Sequence, residues 1–139
     1  MSEIKIVYPL VEVSLQKYLF IATGGALGSL ARYGVGSLVA GRMGTRFPYG
    51  TFVINLTACV IIGFSLTLME RRTEINPAWR FLIPIGFVGA YSTFSTFEWE
   101  IFSKLQVGAF LITALYVSLS VLLGLLAVWL GVVLARLAF

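Results

Sequence analysis

The sequence predicts an all-α membrane protein of four transmembrane helices. Three observations predict it. The residues are 59% hydrophobic and only 12% charged, with a mean hydropathy of +0.96. The apolar residues gather into four stretches, each near the ~20 residues that a helix needs to cross a bilayer. Short connectors carrying Gly, Pro and charge separate these stretches. A soluble fold of 139 residues could not hide so much apolar surface.

The first fourteen residues carry Glu3, Lys5, Pro9 and Glu12 and lack the basic, apolar and cleavage-site order of a signal peptide. Residues 1–14 read as an extramembrane lead, and residues 1–139 as a single four-helix subunit with no linker and no second module. The first span runs from Tyr18 to Val39 and sets Gly24, Gly28, Arg32 and Gly36 at steps of four, on one helical face. Gly24 and Gly28 form a GxxxG spacing that lets another helix approach closely. Arg32 is the costliest residue of the span. An intramembrane charge is a functional candidate, and snorkelling to the interface is the structural alternative. No strand precedes these glycines and no Lys-Ser or Lys-Thr follows, which excludes a phosphate loop.

After the connector Gly41 to Pro48, the second span covers Tyr49 to Met69. Asn55 stands out in it, because a buried amide brings two N–H donors and an acceptor that hydrocarbon cannot satisfy. It serves either a ligand or a neighbouring helix. Glu70 to Pro77 leads to the third span, Trp79 to Phe102, whose middle is not lipid-facing in composition: Gly86-Phe-Val-Gly-Ala-Tyr-Ser-Thr-Phe-Ser-Thr-Phe97. Two readings stand. Either the helix opens near Gly89 to Thr93 and frees carbonyls that protein, water or an ion must take up, or it is continuous and its small residues serve close packing. The fourth span, Ala109 to Leu134, aligns Thr113, Tyr116, Ser120, Gly124, Ala127 and Gly131 on one polar and small face. A tyrosine hydroxyl at mid-depth needs a partner.

Lys5, Lys17, Arg71, Arg72, Arg80 and Arg136 fall on one side of the expected membrane, and Arg42, Arg46 and Lys104, with Arg32 close by, on the other. So weak a bias orients a chain poorly. A subunit too small to enclose a wide pathway, with little orientation preference, suggests dimers whose members insert in opposite directions. The sequence has no histidine, and its lone cysteine, Cys59, sits in an apolar run, so zinc, iron-sulfur and disulfide chemistry lack ligands. No base-nucleophile set exists either, which argues against an enzyme. The net charge of +4 lies mostly in connectors, so nucleic acid is not an expected partner.

The groups expected to point inward are the Asn55 amide, the hydroxyls of Ser92, Thr93, Ser95, Thr96, Tyr116 and Ser120, the rings of Phe94 and Phe97, and Arg32. Apart from Arg32 they are neutral, and most can donate a hydrogen bond. Such a file suits a small anion exchanging its hydration shell for protein donors. Phe94 and Phe97, three apart, share a helical face, and their electropositive ring edges would suit an anion. Ordinary core packing is the structural alternative, and the residues alone favour it. Glu98 and Glu100 read as interfacial charges or as a vestibule acid.

With these residues assembled, the chain resembles the CrcB/Fluc family of fluoride channels from Tyr18 to its C-terminus. Three ordered motifs carry the resemblance: Gly24-Gly-Ala-Leu-Gly-Ser-Leu-Ala-Arg-Tyr33, Gly50-Thr-Phe-Val-Ile-Asn55 and Gly86 to Phe97. It implies a multi-pass protein of a bacterial inner membrane, an antiparallel, dual-topology homodimer with two passive fluoride pathways. Asn55, Phe94 and Phe97 correspond to the residues that contact and line the fluoride path, and Ser95, Thr96, Tyr116 and Ser120 to its polar track. The resemblance further implies a break in the third helix and a structural sodium ion at the dimer centre, held by the backbone carbonyls of Gly89 and Ser92. Arg32 matches an arginine near the mouth, and Glu100 a vestibule acid. Ala90 and Ser92 depart from the usual glycine and threonine, and Ala90 makes a sharp opening harder. The alternative is a four-helix, proton-coupled transporter of the small multidrug-resistance type, which looks for a glutamate in its first span. None is present. A packing subunit without transport of its own is disfavoured by the inward Asn55 and the paired rings.

Overall fold

The computed structural model describes residues 15–44, 46–72 and 74–138, and the expected extramembrane lead at 1–14 lies outside them. Every regular element among the described residues is a helix, without a strand. Helix α1 spans Leu15–Met43, α2 Tyr49–Arg71, a π-helix Phe81–Val88, a short α3 Gly89–Tyr91, α4 Phe94–Gln106 and α5 Phe110–Ala138. By length and composition, α2 and α5 can each cross a membrane. Helix α1 equals α5 at 29 residues, but its glycines, Lys17 and Arg32 dilute its apolar character. The expected third span comprises three helical pieces.

Pro84 explains the first piece. Proline has no N–H to donate and its ring crowds the carbonyl four residues back, so an α-turn cannot close there. The wider π-turn of Phe81–Val88, with Pro84 inside it, accommodates both faults. Gly89 keeps ordinary helical angles, φ −60 and ψ −33. The backbone becomes extended only at Ser92 (φ −74, ψ 157) and Thr93 (φ −148, ψ 113). Helix α4 then starts with Thr93 as its cap, the Thr93 hydroxyl oxygen accepting the Thr96 N–H at 3.3 Å.

Small residues join the helices in two close pairs. In α1, a Cβ at Gly24 would overlap the Leu82 carbonyl oxygen and one at Gly28 that of Phe87, so the GxxxG face lies directly on the π-helix. In the second pair, a Cβ at Gly63 of α2 would meet the Val128 carbonyl of α5, and one at Gly131 the Val60 carbonyl. Ile54, Ala58, Val88 and Tyr91 form the shared core between the pairs, flanked by Ala31, Val35, Ile61, Ile62 and Phe87. That core is small. Leu30, Leu125, Trp129 and Leu137 are among many large apolar side chains left more than half exposed, the inverse of a water-soluble surface. In the connector after α2, Arg72 pairs with Glu74 at 3.1 Å. A backbone amide first, and then Arg72, holds the Glu74 carboxyl below the usual range.

Candidate functional site

The site is built on the two extended residues. In an unbroken helix the Thr93 N–H would close on the Gly89 carbonyl. It instead donates to Asn55 Oδ1 at 3.0 Å, while Asn55 Nδ2 donates to the Thr93 carbonyl at 3.4 Å. One side chain of α2 thus takes up both backbone groups that the extended residue exposes, as a low-dielectric interior requires. An amide nitrogen has two N–H groups, so one remains for a ligand. The Thr93 hydroxyl donates to Thr96 Oγ1 at 2.9 Å, which leaves the Thr96 proton free to donate elsewhere. On the other side, Tyr91 reaches Thr57, hydroxyl to hydroxyl at 2.8 Å, and its ring stacks on Phe87 at 5.5 Å.

One helical turn before Asn55, Thr51 donates to Glu100 Oε1 at 2.8 Å, and Tyr116, fully buried, donates to Glu100 Oε2 at 2.7 Å. Both oxygens of the carboxylate are therefore engaged, and the Tyr116 proton is committed to Glu100. Around Tyr116 the rings of Phe97 and Phe47 stand edge-on at 4.9 and 5.2 Å, a favoured aromatic geometry. Above this floor opens a cleft of about 580 Å³ whose walls include Arg32, Thr51, Thr93, Thr96, Glu100 and Lys104. Lys104 Nζ donates to the Arg46 carbonyl at 3.0 Å, fastening the end of α4 to the connector before α2.

Of the residues singled out from the sequence, Arg32, Thr93, Thr96 and Glu100 line this one cleft. Asn55 adjoins it through Thr93, and Tyr116 and Phe97 through Glu100 and ring contact. Ser120 Oγ is buried with no hydrogen-bond partner, a vacant donor further along α5. Ser95 is exposed. Phe94 lies 6.2 Å from Phe97 between ring centres but is 74% exposed, on the outer face of the subunit. Gly89 is exposed as well, whereas Ser92 is half-buried with its N–H and hydroxyl both donating to the Val88 carbonyl.

Two positions on the cleft wall escaped the sequence reading. Thr51 had a signal, since it precedes Asn55 by four and so shares its helical face. Lys104 had none, because its partner is a carbonyl 58 residues away.

Comparison with known proteins then gives concordant results. Residues 19–132 match the family model described as CrcB-like protein, Camphor Resistance (CrcB). The fluoride-specific ion channel FluC of Acidobacterium capsulatum is 56% identical over 117 residues, covering 84% of this chain and 94% of the relative. That of Solibacter usitatus is 48% identical over 120 residues, covering 86% and 98%. That of Nitratidesulfovibrio vulgaris is 42% identical over 123 residues, covering 88% and 99%.

Proposed function

The chain belongs to the CrcB family, and from that premise we propose that it is a fluoride-specific channel, a passive membrane conduit and not an enzyme. The observation that carries the mechanism is the Asn55–Thr93 pair beside a file of neutral donors. A small anion surrenders strong hydration on leaving water, and only donors already fixed in place can replace that shell without a further ordering cost. The second Asn55 N–H and the hydroxyls of Thr96, Ser95 and Ser120 supply such donors, and the edges of Phe94 and Phe97 add positive ring rims. Glu100 would repel an anion were it bare. Its charge is drawn into two O–H bonds and opposed by Arg32 and Lys104 in the same cleft.

The pathway is completed by a second, antiparallel copy, so that all four helical stretches cross the membrane and two pathways run per dimer. The outward Phe94 ring supports this reading, because on a lone subunit it has nothing to line. A sodium ion at the dimer centre fits the backbone here. The Gly89 carbonyl has lost its helical partner to Asn55, Gly89 is exposed, and the Ser92 carbonyl belongs to an extended residue. Bound sodium would supply positive charge at a helix C-terminus, where carbonyl dipoles point.

Substituting Asn55→Asp tests the central observation. Aspartate keeps the oxygen that accepts the Thr93 N–H but loses the donor and adds charge. In liposomes with the voltage shunted, a fluoride electrode should record rapid efflux from wild type and at least tenfold slower efflux from the variant. Equal rates would remove Asn55 from the path.

A further inference from the structure

A second concavity lies away from the cleft, between α2 and the π-helix. It measures about 260 Å³ and is walled by Val60, Ile61, Phe64, Leu68, Met69 and Ile83. The one hydroxyl on its wall, Ser65, is turned to the Ile62 carbonyl at 3.3 Å. We propose that this groove holds one acyl chain of an anionic phospholipid, with Arg71 and Arg80 binding its headgroup phosphate.

Length, charge and position support that occupant. From Val60 to Met69 the groove follows α2 for about 13 Å, at 1.5 Å per residue, close to the ~15 Å depth of one leaflet's hydrocarbon. Arg71 lies seven residues beyond Phe64, on a row of α2 that lines the groove, and Arg80 caps the start of the π-helix three residues before Ile83, so both stand at the same end of the groove. Both are exposed, and the ion pair among the described residues involves neither. Lys17 adds a third cation at this end, 5.6 Å over the Phe81 ring. Among the described residues, the nearby acids do not cancel them. Glu70 sits about 200° around α2 from Leu68, and Glu74 pairs with Arg72. Trp79, 46% exposed beside Arg80, suits the headgroup level. An acyl chain alone would accept any lipid; the two arginines select a net negative headgroup, as basic sites between membrane helices do.

The test is native mass spectrometry of the full-length protein in mild detergent, given equal amounts of phosphatidylglycerol and phosphatidylcholine with identical chains. Wild type should retain the anionic lipid on the order of tenfold more, since each surface cation is worth several-fold. The Arg71→Gln/Arg80→Gln variant should fall to near parity while its fluoride efflux, through a path these residues do not touch, stays at the wild-type rate. Ile83→Trp should lower retention of both lipids. Equal retention by wild type, a preference that survives the double substitution, full competition by glycerol 3-phosphate, or a groove closed by a second copy that retains no lipid would each overturn the proposal.

Discussion

At the scale of single residues, the site works by committing some donors so that others stay free. Tyr116 is fully buried and spends its proton on Glu100 at 2.7 Å. Tyr116→Phe should therefore cost about 1–3 kcal/mol, the usual penalty for stranding a buried acceptor, read as a lowered melting transition in detergent. Unchanged melting would mean that Glu100 is satisfied without it. Phe94 is the opposite case. At 74% exposure on the subunit, Phe94→Ile should leave subunit stability within ~0.5 kcal/mol, as surface changes do, yet slow fluoride efflux at least tenfold. Loss of fold with loss of flux would show that the ring is packing. Asn55 stood out in the sequence for a physical reason, an amide with no partner in an apolar run. Its pairing with Thr93 did not, because Thr93 contributes its backbone and lies 38 residues away.

At the scale of elements, glycine spacing predicts which helices touch. A Cβ at Gly131 would overlap the Val60 carbonyl, whereas nothing lies within 4 Å of one at Gly34. Gly131→Leu should thus destabilise by several kcal/mol through forced separation of α2 and α5. Gly34→Ala should gain about 0.5–1 kcal/mol from helix propensity. Gel filtration and thermal melting distinguish the two, and similar behaviour would contradict the packing described. Much of this was legible beforehand. Periodicity placed Gly24 and Gly28 on one face of α1, and Thr113, Tyr116, Gly124 and Gly131 on one face of α5, and all are buried. The π-helix was not legible. Pro84 signals a disturbed turn, but a kink, a break and a widened turn all relieve the same clash. Composition bounded an opening at Gly89 to Thr93 without singling out its last two residues, because glycine content points to Gly89, whereas the hydrogen bonds from α2 act at Thr93.

At the scale of the whole molecule, a subunit with so small a core is stable only where its outer face avoids water. Leu125, Trp129 and Leu137 suit lipid, and the exposed Phe94 suits a second copy in the proposed dimer. Mass photometry in detergent should find two chains per particle; a lone chain that still conducts would contradict the shared pathway. The all-helical character was written in the composition, since only helices and closed barrels satisfy their backbone in lipid and the apolar runs have the ~20-residue length of a spanning helix, about twice that of a barrel strand. The second subunit is harder to read, because the charge bias is weak and a partner leaves no mark beyond apolar residues that lipid would equally explain. The central claim, that fixed neutral donors replace the hydration shell of one small anion, is tested most directly by paired fluoride and chloride electrodes on the same wild-type proteoliposomes, with the voltage shunted and no proton gradient or ATP. Fluoride should empty while chloride is retained. A fluoride gradient that persists, or chloride leaving alongside it, would contradict the account.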